Sequence, residues 1–67
     1  MEYSVDFPGI NKFFETCIDS KSVGSREEGI TLATEMSIQL GWALVYGFED
    51  GNYSFCLFFA HGEKQGV

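Results

Sequence analysis

"WALVYGFEDGNYSFCLFFA", residues 42–60, is two apolar runs on either side of Glu-Asp-Gly-Asn. Asp-Gly between hydrophobic segments is a hairpin signal, because both residues tolerate the positive φ that a tight two-residue turn demands. With Asp50 and Gly51 as the loop, strict alternation opposes Phe48 to Tyr53, Tyr46 to Phe55, Leu44 to Leu57 and Trp42 to Phe59. One face of the hairpin is then large and aromatic. The other carries Ala43, Val45, Gly47, Ser54, Cys56, Phe58 and Ala60. The large face is expected to meet the core, which leaves Val45, Cys56 and Phe58 as an exposed apolar patch, a candidate homodimer face. A three-residue loop would shift the register and change which side chains share a face.

Working toward the N-terminus, Ser25 followed by Glu28 is a capping-box pattern, and Gly41 supplies a left-handed stop. At about 100° per residue, Ile30, Leu32, Ala33, Met36 and Leu40 share one side of the helix between these signals. Glu27, Glu28, Thr31, Thr34, Glu35 and Gln39 take the other, with Ile38 the apolar exception among them. Ile10, Phe13, Phe14, Cys17 and Ile18 also follow a helical stripe. They predict a first helix ending near Asp19, with "DSKSVGS", residues 19–25, as the helix–helix loop. Ahead of Pro8 and Gly9, Tyr3, Val5 and Phe7 alternate with Glu2, Ser4 and Asp6, the pattern of a strand with one wet face.

These elements predict an α+β two-layer sandwich, β-α-α-β-β, with a three-stranded antiparallel sheet and two helices on one face. Phe13, Phe14, Met36, Leu44, Leu57 and Phe59 are expected in one core. Residues 1–62 make a single domain and residues 63–67 a flexible tail.

A chain of 67 residues has room for one small core, but seven Phe, three Tyr and one Trp within a 45% hydrophobic composition argue against disorder. Small domains often gain stability from disulfides, a metal or a second subunit. Cys17 and Cys56 show no C-x-x-C spacing and read as buried free thiols, a single Cys17–Cys56 bridge being the alternative, and with one His they fall short of a tetrahedral zinc set. No run approaches the ~20 apolar residues of a membrane helix. The acidic start lacks the basic and apolar regions of a signal peptide, which favours a cytoplasmic location.

Little in the sequence supports catalysis. Cys56 and His61, five apart on an alternating strand, point to opposite faces and cannot form a nucleophile–base pair. No glycine spacing fits a phosphate-binding loop. No enzyme activity and no cofactor are expected. Charge says more: ten acids against four bases give a net charge of -6, which disfavours direct nucleic-acid binding and favours a basic protein or nucleoprotein complex as partner. Glu27, Glu28, Glu35 and Asp50 are the expected acidic contacts, with Ile38 as an apolar anchor. By size and charge alone, the chain is comparable with compact phage or mobile-element inhibitors such as anti-CRISPR proteins and DNA mimics, which block nucleic-acid-handling proteins. The alternative expectation is a self-associating structural or regulatory module.

Overall fold

The computed structural model describes residues 1–9 and 18–66. The chain forms β1 (Glu2–Pro8), β2 (Ile18–Val23), α1 (Arg26–Leu40), β3 (Trp42–Glu49), β4 (Asn52–Ala60) and β5 (Glu63–Lys64). One sheet holds all five strands in the order β2-β1-β3-β4-β5, with every neighbouring pair antiparallel. The expected β-α-α-β-β sandwich is therefore corrected to a five-stranded antiparallel sheet with, among the described residues, one helix.

The correction begins at β2. Ile18 and Asp19, expected to end a first helix, pair with Pro8 and Phe7 of β1, and the polar residues expected as a loop continue the strand to Val23. β2 sits at the sheet edge with its first five residues exposed. Val23 alone of its residues packs against the core, which leaves no alternating pattern to read, and backbone pairing to β1 holds the rest. Residues 10–17, including Phe13, Phe14 and Cys17, lie outside the described residues.

β2 and β3 run parallel with β1 antiparallel between them, and α1 connects the two. The helix starts where the sequence signalled: Ser25 is the N-cap, and its Oγ accepts the Glu28 N–H at 3.2 Å. Gly41 closes it at φ 105, donating its N–H to the Ser37 carbonyl at 3.0 Å.

Small residues set the distance between helix and sheet. Gly29, Ala33 and Ser37, at i, i+4 and i+8, are the buried line of α1. They rest on Val5 of β1 and on Ala43 and Val45 of β3, all fully buried, while Ile30, Leu32, Met36 and Leu40 flank the line half-buried. At Gly29 no side chain fits, since a Cβ would lie 2.6 Å from Val45 Cγ2 and 3.4 Å from Val23 Cγ2. Ser37 is fully buried yet satisfied: its hydroxyl donates to the Thr34 carbonyl at 2.8 Å and accepts the Gly62 N–H at 2.8 Å. That second bond ties the helix to the β4–β5 turn.

Asp50 and Gly51 form the expected two-residue turn, with φ values of 51° and 81°. Phe48 faces Tyr53 as expected, but the register shifts at Gly47, which opposes Phe55. Ser54 is the extra residue of a β-bulge. Beyond it Val45 faces Leu57 and Ala43 faces Phe59, not Leu44 and Trp42. The small residues of β3 and the large residues of β4 thus share the helix-facing side. Leu44, expected in the core, is on the other side and half-buried, and Val45, expected on an exposed dimer face, is fully buried. The bulge is the physical reason for both corrections. His61 and Gly62, with φ values of 53° and 84°, make a second tight turn into β5, so the segment expected as a tail begins with two paired residues.

Replacing Gly by Ala inside a helix ordinarily stabilises it by about 1 kcal/mol, whereas overpacking a rigid core costs about 1–3 kcal/mol. Gly29→Ala is expected to lower stability in chemical denaturation. In a Val45→Ala background, with the colliding methyl removed, the same substitution should become neutral or stabilising. Equal effects in the two backgrounds would contradict this contact.

Candidate protein-binding surfaces

α1 turns its acidic side to solvent. Glu27 and Glu28 stand in the first turn, where carboxylates favour the helix dipole, and Glu35 follows two turns later. With Ser25, Thr31 and Leu32 they line a shallow open depression. Ile38 is 64% exposed and falls within about 20° of Glu27 around the helix axis. Its side chain leans on the β4–β5 turn, where a Cβ on Gly62 would come within 2.8 Å of Ile38 Cγ1.

The five expected contact residues divide between two places. Glu27, Glu28, Glu35 and Ile38 share the outward side of α1. Asp50 is at the β3–β4 turn, where it lines a separate hollow with Met1, Glu2, Phe48 and Glu49. Glu28 also has a structural task that its neighbours lack. Its carboxylate accepts the Gly24 N–H at 2.7 Å, so the return bond of the capping box lands one residue before the N-cap.

On the far side of the sheet from α1, the bulge leaves Trp42, Leu44, Tyr46 and Phe48 of β3 beside Tyr53, Cys56, Phe58 and Ala60 of β4. The rings contact one another. Trp42 stacks on Phe58 with centroids 6.1 Å apart, and Tyr53 meets Tyr46 and Phe48 edge-on at 5.4 and 5.1 Å. Tyr53 is 67% and Phe58 40% exposed. β1 adds its wet residues to the same side, with Glu2, Ser4 and Asp6 opposite Phe48, Tyr46 and Leu44. The Tyr46 hydroxyl donates to Asp6 Oδ1 at 3.4 Å.

Sequence alone does not show this surface: the alternation of Glu2, Ser4 and Asp6 and the aromatic run of β3 are both legible, but strict alternation puts the run in the core. The expected dimer patch is likewise divided, Cys56 and Phe58 lying on the open side and Val45 under the helix. The Cys56 thiol, expected buried, is exposed and free, while His61 is at the β4–β5 turn. Among the described residues no His, Cys, Asp and Glu cluster has the arrangement of a metal site, and no helix is long and apolar enough to cross a membrane.

Compared with known proteins, the chain matches no family model, no curated sequence and no solved structure. Its functional reading therefore rests on surface chemistry.

Capping contacts contribute about 0.3–1.5 kcal/mol each, whereas exposed substitutions away from such contacts stay within about 0.5 kcal/mol. Glu28→Ala should therefore lower the melting temperature measurably, while Glu35→Gln should leave it almost unchanged. Equal melting of the two variants would remove the capping role of Glu28.

Proposed function

We propose that the protein is a stoichiometric inhibitor that occupies the basic surface of a nucleic-acid-handling protein. The observation that carries this reading is the outward side of α1, which three exposed carboxylates share with Ile38, an exposed apolar side chain. Glu27 and Glu35 are separated by ~12 Å along the helix. That gives a rigid row of negative charge of the kind a phosphate-binding groove neutralises with Lys and Arg. Ile38 supplies what charge alone lacks, a side chain that can fill a desolvated pocket and slow dissociation.

The net charge of -6 supports the same reading through kinetics, because opposite charges steer encounter and salt screens the attraction. Asp50 contributes from the hairpin end as part of the long-range field.

Affinity capture from the native host, with the recovered proteins identified by mass spectrometry, supplies the partner. Association should then slow as ionic strength shortens the Debye length to ~8 Å at physiological salt. Glu27→Lys combined with Glu35→Lys should weaken binding while lowering the melt only modestly, through the lost first-turn carboxylate of Glu27, and Ile38→Ala should act mainly by faster dissociation. Recovery of self-copies alone, or an association rate indifferent to salt and to the double charge reversal, would refute inhibition through α1.

A further inference from the structure

The open side of the sheet lies away from α1 and plays no part in the reading above. We infer that it is a second docking surface, and that its occupant is a protein segment bearing Arg or Lys side chains rather than a second copy of this chain.

Charge is distributed unevenly across the sheet. Glu2 and Asp6 project to the open side next to Phe48 and Leu44, and Glu63, opposite Ala60, joins them at the far end. The described bases fall on the helix side. Lys21 pairs with buried Val5, Lys64 pairs with buried Phe59, and Arg26 is on α1. Among the described residues the open side thus combines carboxylates with aromatic rings and carries no Lys or Arg side chain.

This combination suits a guanidinium or ammonium group, which is attracted to the negative face of an aromatic ring and pairs with a carboxylate beside it. The molecule makes one such contact internally, with the Arg26 guanidinium 4.5 Å from the centroid of the Phe55 ring on the helix side. On the open side Tyr53 and Phe58 offer exposed rings, and Glu2, Ser4, Tyr46, Phe48 and Tyr53 line a hollow in which a carboxylate and three rings converge.

A second copy fits less well. Stacking two open sides would enclose the Glu2, Asp6 and Glu63 carboxylates of both chains with no described Lys or Arg side chain to offset them, and charges turned inward on a sheet are a known guard against self-association. Single-stranded nucleic acid could stack on the rings, but its phosphates would meet the same carboxylates.

Trp42 is the single tryptophan and stands on this surface, so its fluorescence reports occupancy directly. The probes are a short peptide of alternating Arg and Ala, its counterpart with Gln in place of Arg, and an oligothymidylate. The Arg peptide should change Trp42 emission saturably at low salt, and the Gln peptide should not. Glu2→Gln with Asp6→Asn, and separately Tyr53→Ala, should each weaken that binding by about threefold to tenfold. Circular dichroism checks the fold of each, and Tyr53→Ala decides alone if the double variant unfolds. Glu27→Gln with Glu35→Gln should leave the Trp42 titration unchanged, which separates this surface from the α1 reading whichever of the two fails. The inference is overturned by no saturable change, by undiminished affinity in the sheet variants, by preference for oligothymidylate, or by a sedimentation-equilibrium dimer that Tyr53→Arg dissociates.

Discussion

Ser54 and Phe55 of β4 both lie opposite Gly47 of β3, and the side on which every later pair of the hairpin falls depends on that insertion. A Cβ on Gly47 would lie 2.6 Å from the Phe55 ring and 2.7 Å from Ser54 Oγ, so both residues lean over a position that has no side chain. The Phe55 ring then reaches Tyr3 of β1 at 6.1 Å and lies beneath the Arg26 guanidinium. Without the extra residue, Phe55, Leu57 and Phe59 would alternate onto the open side.

The shift reconciles two demands of a small domain. α1 approaches through Gly29, Ala33 and Ser37 and needs small or branched residues beneath it, which β3 supplies as Ala43 and Val45. Burial area must come from elsewhere, and β4 supplies it through Phe55, Leu57 and Phe59 around that close contact. The consequence is an aromatic ladder left on the open side. A surface of this kind invites a partner, and the carboxylates of β1 restrict which one it can take.

How far the sequence could be read follows from the same physics. The strand with one wet face, the capped helix, the Asp50–Gly51 turn and the exposure of Ile38 were all legible, because each leaves a local signature in period or turn chemistry. The bulge was not legible: strict alternation is the default for a strand, and no residue type marks Ser54 as an insertion. Gly47, inside a strand where glycine is costly, was the available hint. β2 was hidden because a polar edge strand has no hydrophobic period, and the His61–Gly62 turn because the residues after it are too few to read as a strand. Of the candidate contacts, the outward acids of α1 followed from helical spacing. The open-side carboxylates and rings could be joined only once the register was known.

The register of β3 against β4 is the point on which the faces, the core and both surfaces rest, and cross-strand nuclear Overhauser effects read it directly. The bulged pairing requires backbone contacts linking Val45 with Leu57 and Ala43 with Phe59. Contacts linking Leu44 with Leu57 and Trp42 with Phe59 instead would show an unbulged hairpin, place Leu57 and Phe59 on the same side as Leu44 and Trp42, and contradict the assignment of both sides of the sheet.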